Sequence, residues 1–222
     1  MKNALLLFLS ALFAALSSLS WAQGIVRGPY LQMPTSAGII VRWRTDSLTV
    51  TDSRVHYGAD TANLSAFAED TALTTEHRVK ITGLSPFTKY YYSVGSSSQV
   101  MSGPDSLHHF TTAPVPGTVQ PVRVWAIGDF GKGNIGEGLV RDSYYYNYAA
   151  GQRTDVWLWL GDNVYYSGTD DEYQQKVFTG PNGYGEVFKN LPFMPAPGNH
   201  DYEVISKPPG DSVPPLSHTG PY

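Results

Sequence analysis

Three short motifs place acids, an amide, an imidazole and a phenol at matched points of the chain. They are Gly128-Asp129-Phe130-Gly131, Gly161-Asp162-Asn163-Val164-Tyr165 and Gly198-Asn199-His200-Asp201. A single Gly-Asp pair is an ordinary turn. Each of these motifs, however, follows an apolar segment of strand character, so the three in succession bring Asp129, Asp162, Tyr165, Asn199 and His200 to one edge of one sheet. Hard oxygen donors with few nitrogens suit pairs of iron, manganese or zinc ions. The chain contains no cysteine, which excludes thiolate ligation and disulfides together.

The elements that must hold these residues follow from the local pattern. Val156 to Leu160 (VWLWL) is a continuous apolar run stopped by Gly161, which predicts a parallel strand buried on both faces. Val122 to Ile127 and Leu191 to Ala196 read as its neighbours, with a helix within Gly136 to Ala150 and a helix or turn over Asp170 to Phe178. This alternation predicts a parallel sheet wrapped by helices, whose strand ends are where open α/β sheets bind ligands. The whole chain has 222 residues, 41% hydrophobic and 15% charged, enough for a real core. A formal charge of −4 without a basic patch argues against nucleic acid binding.

Upstream, Gly24 to Thr112 carries strand periodicity and no helical period. Ile39, Val41 and Trp43 alternate with Ile40, Arg42 and Arg44, and Tyr90, Tyr92 and Val94 share a face after the turn at Gly83 to Thr88. His56, His77, His108 and His109 have no carboxylate or cysteine at ligand spacing and read as structural or solvent-facing. Residues 1–22 combine Lys2, an apolar core from Ala4 to Leu16 and a Ser20-Trp21-Ala22 ending, the pattern of a secretory signal peptide. The division expected is therefore a leader at 1–22, an all-β domain at 23–113, a stiff linker at 114–120 and an α/β region at 121–222. A secreted or periplasmic protein without a membrane span after leader removal follows.

Leu84, Pro86 and Tyr90 resemble the tyrosine corner of a fibronectin type III sandwich, and Trp43 would be its core tryptophan. DFG, GDNVY and GNHD resemble the first three motifs of the metallophosphoesterase superfamily. The tyrosine three places after Asp162 marks its purple acid phosphatase branch, whose larger members carry such a sandwich in front. The fold class implied is a fibronectin III-like β-sandwich followed by an incomplete α/β metallophosphoesterase domain. The resemblance implies that Asp129 and Tyr165 bind a ferric ion, Asp162 bridges it to a second divalent metal (Fe, Zn or Mn), and Asn199 binds that second metal. His200 would contact the phosphate and help protonate the leaving group. The implied activity is hydrolysis of phosphate monoesters, with hydroxide formed at the metals attacking in line. Glycines beside the ligands would turn the backbone and leave room for the phosphate of the ester substrate.

Several features stand beside this reading. Asp201 occupies a position where many members of the branch have glutamate. The three later histidines of the family, in VxxH-like and GHxH motifs, have no match before Tyr222, which implies a chain carrying one side of the metal cage and little activity by itself; His218 would be a weak substitute. Gly131 to Gly136 (GKGNIG) matches a dinucleotide fingerprint, though that reading gives GNHD and Tyr165 no role. Tyr144, Tyr145, Tyr146 and Tyr148 read as a packing and surface cluster, with substrate stacking as the alternative. A reading from another class is a non-catalytic exported binding module that retains a relic phosphoesterase half.

Overall fold

The computed structural model describes residues 24–204 together with 216–217. Residues 1–22, read above as a leader, and His218 lie outside the described residues. No helix among the described residues is long and apolar enough to cross a membrane.

The first unit is a sandwich of short antiparallel strands. One sheet contains β1 (Ile25–Gln32), β2 (Gly38–Thr45) and β5 (Glu76–Thr82); the other contains β3 (Thr51–Gly58), β4 (Ala66–Thr74), β6 (Lys89–Gly95), β7 (Val100–Ser102) and β8 (His109–Thr111). In β5 the alternation is strict: His77, Val79 and Ile81 are buried while Glu76, Arg78, Lys80 and Thr82 are exposed. These side chains meet Leu31, Ile39, Val41, Trp43, Val55, Tyr92, Val94 and Phe110 in one core. The tyrosine corner forms as its residues imply, with the Ser85 amide donating to Tyr90 Oη at 3.1 Å.

His77 shows how this core accommodates a polar ring. It stacks on Trp43 with centroids 4.7 Å apart and planes 7° from parallel. The Thr45 hydroxyl donates to the Thr49 carbonyl at 2.6 Å, so it accepts from His77 Nε2 at 3.1 Å. Nδ1 is left to accept from Ser53 at 2.8 Å. Every polar atom of a neutral imidazole is thereby satisfied. His108 differs from its expected isolation, because Asp105, three residues earlier, lies 2.8 Å from its Nδ1.

The second unit continues the first sheet. Gln32 of β1 pairs in parallel with Phe193 of β11 (Phe193–Ala196), which pairs with β10 (Val156–Leu160) and then β9 (Val124–Ile127). The six-stranded order is β5-β2-β1-β11-β10-β9. Ionic contacts reinforce the join: buried Arg27 reaches Asp170 Oδ1 at 2.7 Å and Gln174 Oε1 at 2.6 Å, and Arg44 holds Asp170 Oδ2 at 2.5 Å. Tyr92 Oη also donates to the Lys189 carbonyl at 2.8 Å.

Trp157 and Trp159 of β10 point into an aromatic core with Trp125, Phe130, Tyr184, Phe188 and Phe193. Trp159 stacks on Phe193 at 4.3 Å and Trp125 on Trp157 at 4.5 Å. The opposite face differs from expectation. Leu160 is 62% exposed, and Val124 and Met194 are also exposed, so the strand is not buried on both faces. The reason is that the helical segments all pack on the tryptophan face. They are α1 (Ile135–Arg141), which continues as a π-helix over Asp142–Tyr148; α2 (Asp170–Glu172), which continues likewise over Tyr173–Phe178; and α3 (Gly185–Phe188).

Burial holds the His77 pKa down to about 4, with nearby Asp52 opposing it weakly. An imidazole that resists protonation when folded but titrates near 6.5 when unfolded contributes stability that is complete above pH 6.5 and lost as the pH falls toward 4. Urea unfolding midpoints are therefore expected to fall between pH 7 and pH 4.5, and His77→Gln to flatten that dependence. An unchanged pH slope in the variant would show that His77 is not the titrating group.

Candidate metal centre

Parallel strands β9, β10 and β11 end at the same edge, and one motif leaves each end. Backbone contacts lock the motifs together: the Asp129 amide donates to the Gly161 carbonyl at 3.0 Å, and the Tyr165 amide to the Gly131 carbonyl at 2.9 Å. The His200 amide donates to Asp162 Oδ1 at 2.9 Å. Asp129 and Asp162 both adopt left-handed backbone conformations, with φ of 56° and 50°. Such angles cost energy for residues other than glycine and concentrate at functional sites. Their effect here is to turn both carboxylates toward one point.

At that point Tyr165 Oη donates to Asp129 Oδ1 in a short contact and lies 3.3 Å from Asp162 Oδ2. The hydrogen bond to Asp129, followed by desolvation and the Asp162 charge, raises the phenol pKa well above its usual value. The phenol therefore keeps its proton between two acids. Two carboxylates and a phenol within a hydrogen bond of one another form a hard, anionic oxygen set, which fits a trivalent or divalent cation. Among the described residues no group of three His, Cys, Asp or Glu side chains is placed to hold a metal ion; the donors gathered here are two acids and a tyrosine.

The glycines serve a different purpose from the one their positions suggest. A Cβ on Gly198 would lie 2.3 Å from both the amide nitrogen and Oδ1 of Asp162. Gly161, at φ +99°, lies against Gly198 itself. The motifs pack backbone to backbone, and the absence of side chains permits that approach.

Asp201 carries the arrangement and is not obvious in the sequence. It is fully buried. Its Oδ1 accepts from the amides of Asn163 at 2.8 Å and Val164 at 3.3 Å and from Tyr173 Oη at 2.6 Å. Its Oδ2 accepts from Asn163 Nδ2 at 3.0 Å and the Gly198 amide at 2.6 Å. One carboxylate thus fastens the third motif to the second and to the helical segment behind them. Asn163 Nδ2 also reaches the Ala196 carbonyl at 2.8 Å, tying the second motif to the end of β11. The only sequence sign of this role is an acid directly after a candidate histidine.

The remaining predicted residues are placed less completely. Asn199 opens the 3₁₀ turn Asn199–Asp201 at the same edge, but its side chain is exposed and bonded to no other described residue. The His200 ring lies 4.6 Å from the Tyr165 ring. Its Nδ1 lies 2.8 Å from the Tyr166 carbonyl. A carbonyl can only accept, so Nδ1 carries hydrogen and Nε2 is left for other partners.

The dinucleotide reading of GKGNIG fails on local geometry. The Glu137 carboxylate accepts from the Gly133 amide at 2.6 Å, and Asn134 Oδ1 accepts from the Glu137 amide at 3.1 Å. The donors that would cradle a pyrophosphate already have partners within the loop. In the tyrosine cluster, Tyr144 stacks on Trp125 at 4.4 Å and Tyr145 binds Asn190, while Tyr146 and Tyr148 are exposed.

Two substitutions test this construction. Gly198→Ala should cost about 1–3 kcal/mol of stability by overpacking, and would be expected to displace Asp162. Asp201→Asn should cost about 2–4 kcal/mol, because an amide cannot serve five donors. Urea denaturation measures both, and changes under about 0.5 kcal/mol, the level of an ordinary surface substitution, would contradict the packing described.

Two family models match adjoining parts of the chain: the purple acid phosphatase N-terminal domain at residues 27–112 and the calcineurin-like phosphoesterase at residues 122–220. Over 57 residues the chain is 46% identical to purple acid phosphatase 15 of Arabidopsis thaliana, covering 25% of this chain and 10% of that protein. A solved structure described as that of PhoD aligns with a TM-score of 0.55 at 16% identity, over 82% of this chain and 40% of its own, which is a likeness of fold. The chain thus spans well under two thirds of the length of these relatives. Residues 27–112 are thus similar to the purple acid phosphatase N-terminal domain and residues 122–220 to the calcineurin-like phosphoesterases, in keeping with the sandwich and with the three motifs at the edge of the parallel sheet.

Proposed function

We propose that this chain supplies part of the active site of an exported acid phosphatase that hydrolyses phosphate monoesters at a dinuclear metal centre. The observation that carries the reading is the convergence of Asp129, Asp162 and Tyr165 oxygens at the end of a parallel sheet. Asp129 and Tyr165 would hold Fe(III), Asp162 would be shared with a second divalent metal (Fe, Zn or Mn), and Asn199 would offer its amide oxygen to that second ion. When bound, the metals supply charge neutralisation for the phosphate and a water of lowered pKa.

The chain's own residues set the conditions for that chemistry. Tyr165 would hold the ion as its phenolate, the proton passing to solvent, and its negative charge with that of the two carboxylates would offset part of the metal charge. Asp162 is aimed twice, by its left-handed backbone and by the His200 amide on Oδ1. His200 is held through Nδ1 by the Tyr166 carbonyl, so a proton gained at Nε2 can pass to the departing alkoxide oxygen. The described residues provide a compact donor set for one ion and fewer fixed donors for the second. The 222-residue chain is accordingly expected to retain one ion more firmly than the other and to turn over substrate weakly.

Titrating the purified chain with Fe(III) should produce a visible charge-transfer band, and Tyr165→Phe should remove or shift that band while leaving the fold intact by circular dichroism. A colourless, iron-loaded wild type would contradict the tyrosine assignment. Asp162→Asn should lose most bound metal by elemental analysis, and full retention of metal in that variant would contradict a shared carboxylate.

A further inference from the structure

Two lysines approach the tyrosines of the second motif, and they differ in how far they are committed. Lys176 Nζ pairs with Glu172 at 2.7 Å and also donates to the Tyr165 carbonyl, so its charge has a partner. Lys132 Nζ lies 4.8 Å from the centroid of the Tyr165 ring. Among the described residues no ion pair joins it to a carboxylate. An exposed ammonium over the ring whose oxygen meets Asp129 and Asp162 is an uncommitted cation at the mouth of the site.

The turn that presents it is built from several sides. The Lys132 amide donates to the Phe130 carbonyl at 2.9 Å, and Asn182 Nδ2 donates to the Gly133 carbonyl at 3.0 Å. Gly133 has φ +72°, a conformation open to glycine. The Glu137 side chain, 4% exposed, reaches back to take the Gly133 amide at 2.6 Å. The GKGNIG segment therefore folds as a clamp closed on its own glutamate, and what it holds outward is Lys132.

From this geometry we infer that Lys132 is the side chain that takes up the phosphate group of the substrate, and that Glu137 is the positioning residue that sets its turn. The inference rests on the phosphatase reading above. A phosphate monoester held near Asp129, Asp162 and Tyr165 would carry negative charge, and an ammonium with three donors and no competing carboxylate can meet it. His200, on the same tyrosine ring, remains available for the leaving group.

The test uses the Fe(III)-loaded chain and inorganic phosphate as the probe, with affinity read by equilibrium dialysis and loading read by the visible band. Lys132→Ala should weaken phosphate binding roughly tenfold or more, the worth of one hydrogen bond to a charged group, and Lys132→Arg should restore most of it. Band position, iron content and thermal midpoint should stay unchanged in both. Glu137→Gln should weaken phosphate binding in the same direction. Unaltered phosphate affinity in Lys132→Ala, with the band present, would overturn the assignment of Lys132 alone. A Lys132→Ala protein whose band moves while its phosphate affinity holds would assign Lys132 to packing on Tyr165 instead. A loaded wild type without any band would sink the metal reading and this inference with it.

Discussion

The Asp201 carboxylate is the contact on which the rest of the site depends. Three strand ends that carry acids, a phenol and an imidazole do not converge by strand pairing alone, because each motif leaves the sheet as irregular backbone. Asp201 gathers donors from Asn163, Val164, Gly198 and the Tyr173 hydroxyl inside a space closed to water. A buried carboxylate with that many donors resists displacement, since losing them would strand a charge in a low-dielectric interior. The left-handed turns at Asp129 and Asp162 persist because the surrounding structure over-determines them.

A second constraint comes from the sandwich. β1 completes the antiparallel sheet on one side and pairs in parallel with β11 on the other, so the strand that delivers the third motif is registered against the fibronectin-like unit. Arg27, Arg44 and Asp170 fasten the helical segment that also contributes Tyr173 to Asp201. The chain of contacts therefore runs from the sandwich through Asp170 and Tyr173 to the motif edge. The sandwich carries no candidate catalytic group, yet it fixes the geometry of the unit that does. Its own His77, whose burial disfavours the charged imidazole, is expected to make the scaffold less stable in acid.

Much of this was legible in the residues. The Gly-ended run VWLWL, the alternation in β5 and the tyrosine corner depend on local spacing, and local spacing survives into the structure. The three motifs were legible as a set because strand, turn and ligand type recur together. What was hidden depends on long-range placement. The join of β1 to β11 pairs residues 161 positions apart, Gln32 with Phe193, and leaves no periodic mark. Asp201 reads as a turn acid until its partners from another strand end are seen. Glycines at the motifs look like room for a ligand, whereas Gly198 makes room for the backbone of Asp162. The exposed side of β10 shows that an apolar run reports a strand more faithfully than it reports what covers each face.

The proposed bond from Tyr165 to iron rests on a phenol held between the Asp129 and Asp162 carboxylates. Resonance Raman spectroscopy of the Fe(III)-loaded chain, excited within its visible absorption, reads that bond directly. Enhanced tyrosinate ring modes that shift with ring-deuterated tyrosine and vanish in Tyr165→Phe are the predicted result. An iron-loaded chain showing no tyrosinate modes, or the same modes after Tyr165→Phe, would contradict it.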